Sequence, residues 1–342
     1  MDQIQQVIQY LTVSRNIVIL SHRNPDGDAI GSSLALSFAL NKMRHKVEIV
    51  LPSECPPIFN YLEDIHKIAI FDLDQNGCRA KIDQADTIFC LDFNGLDRID
   101  KLGEKVSFSK AKKIMIDHHL DPEPFADFEF CDVEASSTSE LVYKFLVDIG
   151  QKHLIDIKTG EALFTGIITD TGSFKYNTRA YTYEVAGALK QIGVDDYSLQ
   201  NAIFNVLKEK NLRLLGHCLA NRMEVIPEYS TALIYLTKQD YIDFDIQRGD
   251  TEGIVNYMLM LESVHLAAFI TEQPSIVKIS LRSKGDLDVQ SICNKHFNGG
   301  GHKNASGGSA YAKLDDIVTK FKNLLPSVIP FTIDQDYLQN SK

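Results

Sequence analysis

The sequence predicts an α/β protein of two domains: an amino-terminal domain with a mostly parallel sheet flanked by helices, then a helical linker and a smaller α+β domain. Three observations carry that expectation. The chain has 342 residues, 44% hydrophobic and 24% charged, a globular composition with enough length for two separate cores. Its first half alternates short β-branched runs with helical segments. After about residue 222 the pattern changes to strand-like runs with shorter helices between them.

Taken in order, "NIVIL" (16–20), "KVEIV" (46–50), "TIFCL" (87–91) and "KKIMI" (112–116) read as buried strands. Between the first two, "AIGSSLALSFALNKM" puts Ile30, Leu34 and Phe38 on one helical face. "SSTSELVYKFLVDIG" opens with Ser137 and Glu140 at capping-box spacing and stops at Gly150. "GEALFTGIIT" is apolar on most sides and reads as a buried helix. From about 179 to 222 the pattern is helical, with charges in "LKEKNLRLLGHCLANRM", as in a connecting arm. "TALIYLT", "VHLAAFITE" and "SIVKISLRS" then read as strands, with helices near 252–262 and 288–297. The expected boundaries are 1–196, 197–224 and 225–330, with 331–342 a polar tail.

Bulk chemistry narrows the function classes. No stretch reaches the roughly 18 apolar residues of a membrane helix. The segment "MDQIQQVIQYL" has neither a basic start nor a small-residue cleavage site, so a cytoplasmic protein without a membrane partner is expected. Six cysteines are scattered without a CxxC pair, as reduced core thiols are. The net charge of −11 argues against a broad basic surface for long duplex nucleic acid. It leaves room for a small anionic substrate, because bound cations reverse the field locally.

Chemistry-bearing residues gather after the predicted strands, where open parallel sheets bind ligands. His22, Asp26 and Asp28 follow "NIVIL", Asp92 follows "TIFCL", and Asp117, His118 and His119 follow "KKIMI". Asp170 follows the helix "GEALFTGIIT". Either signal alone is weak, since DxD spacing is common in surface loops and paired histidines can simply cap carbonyls. Together, at one sheet edge, these groups would repel or titrate unless a cation compensates them. Oxygen and imidazole donors without thiolate suit manganese or magnesium. More donors than one ion takes point to two divalent ions sharing a carboxylate, an arrangement used for in-line displacement at phosphorus.

The motifs "SHRNPDGDAIGSS", "LDFNGLDRI", "MIDHHLD" and "GIITDTGSF" resemble, in order, those of the DHH phosphoesterase superfamily. "ISLRSKGDLDVQSICNKHFNGGGHKNASGG" resembles its DHHA1 domain, and the likeness spans about residues 10–325. It is greatest to the two-domain branch of nano-RNase and adenosine 3′,5′-bisphosphate phosphatase (NrnA-like) enzymes. The resemblance implies one ion on His22, Asp26 and Asp92, and a second on Asp28, Asp92, His118 and Asp170, with Asp92 the bridge and manganese the first choice of metal. It implies that Asp117 orients a histidine and that His119 meets the substrate phosphate. Substrate would be gripped by Arg282, Ser283, Gly299, Gly300, Gly301 and His302. Asn298 stands where members commonly carry a further glycine.

The expected activity is hydrolysis of short oligoribonucleotides to mononucleotides, and of adenosine 3′,5′-bisphosphate to AMP, by water activated between two ions. A cleft between two domains favours one to a few nucleotides over a polymer. The nearest alternative is a phosphodiesterase for cyclic or linear signalling dinucleotides; from another class, a noncatalytic nucleotide-binding module. A homodimer is also compatible with the family. Phe174 and Tyr176 are expected in the core rather than stacked on a base. The remaining histidines lack a carboxylate constellation in sequence and are expected to be structural or solvated.

Overall fold

The computed structural model describes residues 2–247 and 249–329, so the expected tail 331–342 lies outside the described residues. The chain divides between Val206 and Leu207 into two compact units.

The first unit runs α1 (Gln3–Tyr10), β1 (Asn16–Leu20), α2 (Gly27–Lys42), β2 (Lys46–Leu51), β3 (Ala69–Ile70), α3 (Gln75–Asp83), β4 (Thr87–Leu91) and α4 (Lys101–Phe108). It continues with β5 (Lys112–Asp117), β6 (Phe128–Cys131), α5 (Thr138–Asp148), α6 (Ile157–Asp170), α7 (Ala180–Gln191) and α8 (Asp196–Phe204). The strand order is β3-β2-β1-β4-β5-β6, and every pairing is parallel. Alternate residues of the central strands enter different cores. Ile17, Ile19, Phe89 and Leu91 join α2, α5 and α6 on one face. Val18, Leu20, Ile88 and Cys90 join α3 and α4 on the other. This is why these strands read as unbroken apolar runs, each fully buried Leu or Ile contributing about 1.5–3 kcal/mol. Beside the sheet, α2 meets α6 so closely that a Cβ on Gly31 would strike the Ala162 carbonyl.

The outer strands β3 and β6 were not legible in the sequence. The first is only two residues long, and the second is mostly half-buried, so neither shows a continuous apolar run. The placement of β1 between β2 and β4 matters most for function. There the strand order reverses direction, the point at which open sheets of this kind bind ligands beyond the carboxyl ends of their strands.

The second unit begins with α9 (Glu209–His217), which runs into a π turn (Cys218–Arg222). It continues with β7 (Met223–Ile226), β8 (Thr231–Leu236), α10 (Lys238–Asp243), α11 (Ile254–Met258), β9 (Leu266–Glu272) and β10 (Val277–Ser283). The last elements are α12 (Val289–His296), β11 (Gly300–His302), β12 (Ala305–Ala310) and α13 (Leu314–Val328). The sheet order is β11-β12-β10-β9-β8-β7, with β8 and β9 parallel and the other pairs antiparallel.

Three local expectations change. The helical stretch 179–222 is broken into α7, α8, α9 and the π turn, with breaks at Ile192–Asp195 and Asn205–Lys208. The helix near 252–262 is only Ile254–Met258, entered through Gly253 at φ +78°. His217 does have a carboxylate partner: it lies 2.9 Å from Asp240, which Arg222 also holds at 2.8 Å. That buried acid, which belongs to none of the site motifs, ties α9 and the π turn to α10.

Candidate metal centre

The loop after β1 positions its carboxylates by capping a helix. Asp26 is the N-cap of α2, its Oδ1 accepting from the backbone N–H groups of Asp28 and Ala29, both at 3.0 Å. Its Oδ2 is left beside His22, 3.7 Å from Nε2. The His22 Nδ1–H donates to the Arg23 carbonyl at 3.0 Å, which turns Nε2 toward Asp26 and Asp92. Asp28 lies one helical step inside and is fully buried.

Asp92 occupies the middle of the array. It follows β4 with φ at +63°, a backbone region that non-glycine residues rarely adopt and that costs of order 1 kcal/mol or more. Its Oδ2 is 3.4 Å from His22 Nε2, and its Oδ1 is 3.5 Å from His118 Nε2. One carboxylate thus turns an oxygen toward each of two histidines. Beyond His118 stands Asp170 at the end of α6, 3.2 Å from Nε2. His118 is fixed by Nδ1–H donation to the Ala135 carbonyl at 3.3 Å. The donor atoms of His22, Asp26 and Asp92 lie within 4.8 Å of one another, as do those of Asp28, His118 and Asp170, and those of Asp92, His118 and His119.

Asp117 is fully buried and accepts the His119 Nδ1–H at 2.8 Å. It therefore orients His119 rather than His118, leaving the His119 Nε2 for another partner. Phe174 lies between the rings of Phe164 and Tyr183 and packs on the core. Tyr176 is half-exposed and rests on Gly172, where a Cβ would come within 2.7 Å of the ring.

The electrostatics show what the donor set lacks. Burial and the neighbouring Asp92 and Asp170 charges push Asp28 well above the usual carboxylate range. Burial and Asp92 raise Asp170 to about 7. Burial opposes charge on His22, but Asp26 and Asp92 outweigh it and bring the imidazole to about 10. His118, likewise buried, is brought to about 10 by Asp92, Asp28 and Asp170. Asp92 is buried too, yet the two histidines hold it below the usual range. Positive charge is what this edge requires, and in the metal-free chain protons supply it. The donors are carboxylate and imidazole alone, and Asp117 Oδ2 is a buried oxygen without a hydrogen-bond partner. Hard divalent cations fit this set.

Residues that sequence reasoning missed complete the frame. The N–H groups of Thr138 and Ser139, at the start of α5, donate to the two Asp28 oxygens at 2.6 and 2.8 Å. The Thr138 hydroxyl donates to Asp92 Oδ1 at 3.1 Å. Gly166 must be glycine, since a Cβ there would come within 2.6 Å of Asp28 Oδ1. The capping-box segment held the signal, because a helix start is itself an anion site. Its partner Glu140 does not close the box. Ser137 Oγ accepts from the Glu140 N–H at 3.0 Å, while the Glu140 carboxylate turns to Ser136, Arg179 and Thr182.

In the second unit, Arg282 is half-buried on β10, donates to the Leu281 carbonyl at 2.9 Å, and has no carboxylate partner among the described residues. Ser283 is occupied within the fold, donating to Leu287 and accepting from Asn304. The glycine run is not an open turn, because Gly300, Gly301 and His302 form edge strand β11, paired with β12. Gly299 is sterically required, as a Cβ would meet Gly308 Cα at 2.5 Å, whereas a Cβ on Gly300 would meet nothing within 4 Å. Asn298 has φ +45°, a left-handed conformation that asparagine tolerates next best after glycine, which accounts for its place before the run.

Residues 16–167 match the model of the DHH family, N-terminal domain, and residues 231–326 match the DHHA1 domain. The chain is 26% identical over 324 residues to the bifunctional oligoribonuclease and PAP phosphatase NrnA of Bacillus subtilis (strain 168), covering 93% of this chain and 97% of that protein. It is 27% identical to the cyclic-di-AMP phosphodiesterase PdeA of Listeria monocytogenes, covering 87% of this chain but 45% of that one. The crystal structure of an exopolyphosphatase-related protein from Bacteroides fragilis superposes with a TM-score of 0.91 at 38% identity, over 95% of this chain and 96% of that one. With its carboxylate-histidine edge and its two matched domains, the chain belongs to the DHH phosphoesterase family, DHHA1 branch, and is a hydrolase of phosphoester bonds.

Proposed function

We propose that the protein hydrolyses short oligoribonucleotides to mononucleotides, and adenosine 3′,5′-bisphosphate to AMP, with two divalent ions, manganese first. The observation that carries this reading is Asp92, whose two oxygens face His22 and His118 separately. His22, Asp26 and Asp92 would hold one ion; Asp28, Asp92, His118 and Asp170 the other. When bound, such a pair lowers the pKa of water and neutralises charge at phosphorus. Likeness over nearly the full length of an oligoribonuclease and PAP phosphatase supports the substrate class.

The chain's own groups do the rest. Asp117 holds His119 so that Nε2 meets a phosphoryl oxygen or passes a proton to the leaving oxygen. Arg282, with no acid to neutralise it among the described residues, takes a substrate phosphate through its planar fork. The open side of Gly300 lets an anion approach the backbone, with His302 beside it. The six cysteines are all free thiols, consistent with work in a reducing cytoplasm.

The test is a set of rates with manganese on a diribonucleotide, a five-mer, adenosine 3′,5′-bisphosphate and a cyclic dinucleotide. Fastest turnover of the diribonucleotide, with release of AMP from the bisphosphate, is the expected result. A faster cyclic dinucleotide would replace the substrate assignment. Tight nucleotide binding without product would make the protein a noncatalytic module.

A further inference from the structure

Asp92 serves two sides of the array, yet its two oxygens are not held alike. Oδ2 faces His22 and accepts no other hydrogen bond among the described residues. Oδ1, the oxygen on the His118 side, accepts the hydroxyl of Thr138 at 3.1 Å. The same residue's N–H holds Asp28 Oδ2 at 2.6 Å, so Thr138 touches two carboxylates of the array from the first turn of α5. Both it and Ser139 are fully buried.

That turn is itself clamped. Glu140, also fully buried, accepts from Ser136 at 2.7 Å, from Thr182 at 2.5 Å and from the Arg179 guanidinium at 2.5 Å. Arg179 extends its other arm to Asp132 at 2.7 Å, and Thr182 lies in α7. The network therefore joins the segment after β6, the start of α5 and the start of α7. A buried carboxylate with so many donors has one low-energy arrangement, since losing any partner leaves charge uncompensated.

We infer that Thr138 is a positioning residue that sets the Asp92 oxygen on the His118 side, with Arg179 acting through Glu140 to hold Thr138 in place. Thr138 thereby supports the ion held by Asp28, His118 and Asp170, and leaves the one at His22 and Asp26 unaffected. The inference rests on the two-ion reading above.

Manganese titration of the full chain by calorimetry, with electron paramagnetic resonance to separate coupled pairs from isolated ions, tests it. Thr138→Val keeps the shape and the backbone N–H but removes the hydroxyl. One of the two ions is expected to weaken by about 10–100-fold, the usual cost of losing a partner that orients a ligand. The other ion should bind as before, and the coupled-pair signal should give way to that of an isolated ion. Thr138→Ser should restore the pair, and Thr138→Ala repeats the loss should valine not fold. Arg179→Lys should weaken the same ion by a smaller factor. Two unaltered ions in Thr138→Val or Thr138→Ala, or equal loss of both, would overturn the role of Thr138. Unaltered binding in Arg179→Lys would remove Arg179 from it. Fewer than two ions in the unsubstituted protein would instead sink the two-ion reading.

Discussion

At the carboxyl edge of the first sheet the candidate functional groups are charged side chains, largely buried, in three overlapping triads whose donor atoms lie within 4.8 Å of one another in each. At the free edge of the second sheet the candidate groups are mostly backbone, in a strand of exposed glycine and histidine separated by β12 from the Arg282 guanidinium, which has no acid partner among the described residues. The first region concentrates like charges and relies on protons or cations to hold them together. The second leaves space, and a Cβ on Gly300 would meet nothing. A site built from titrating ligands depends on pH and metal supply, whereas one built from backbone and arginine depends on shape.

The largest test of that contrast is Asp92→Ala. It removes the shared carboxylate, and turnover should fall by at least about a thousandfold, with both ions weakened in a manganese titration. Activity above a few per cent would contradict the bridging role. The next effect is pH. In the metal-free protein His22 and His118 titrate near 10 and Asp170 near 7, and all must lose protons to take a metal. Manganese affinity should therefore rise at least about tenfold per pH unit between roughly pH 6 and 8. The sign for stability is opposite. The raised histidine pKa values stabilise the metal-free fold fully below the ordinary 6.5, a contribution lost as pH rises through about 10. Thermal melts without metal should fall across that window, and added manganese should reverse the fall.

Changes in the second region should leave the metal untouched. Arg282→Ala should raise KM by about tenfold or more with manganese binding unaltered, because a charged hydrogen bond to substrate contributes about 1.5–3 kcal/mol. Unchanged kinetics would remove it from substrate binding. The smallest effect belongs to the glycines. Gly300→Ala should raise KM a few-fold without moving Tm, while Gly299→Ala should lower Tm, since its added Cβ meets Gly308. Equal melting shifts for the two would break the distinction between space kept for a ligand and space required by the fold.

Much of the carboxylate-histidine edge was legible because its signals are local. A buried parallel strand is a continuous apolar run, and the polar residue that ends it is visible, as Asp92 is after "TIFCL". The identity of the histidine served by Asp117 was not legible. His118 and His119 are neighbours in sequence, and only side-chain direction gives the bond to His119. Glu140 was misread for a related reason. Its spacing from Ser137 is that of a reciprocal cap, but Arg179, 39 residues away, claims its carboxylate. Strand β11 was hidden because glycine has no β propensity, and its strand character comes from pairing with β12.

Sequence by itself determined the class of fold, the central strands, the family and the gathering of carboxylates and imidazoles after the strands, because each follows from periodicity or from residues a few positions apart. Tertiary structure alone decided which oxygen of Asp92 faces which histidine, that α5 cradles Asp28, and that the glycine run is a paired edge. The first two bring together groups from 26 to 111 positions apart, as Asp92 with His118 and Asp28 with Ser139 are, and the third makes a strand of residues without β propensity by pairing them with β12, so no local pattern encodes them.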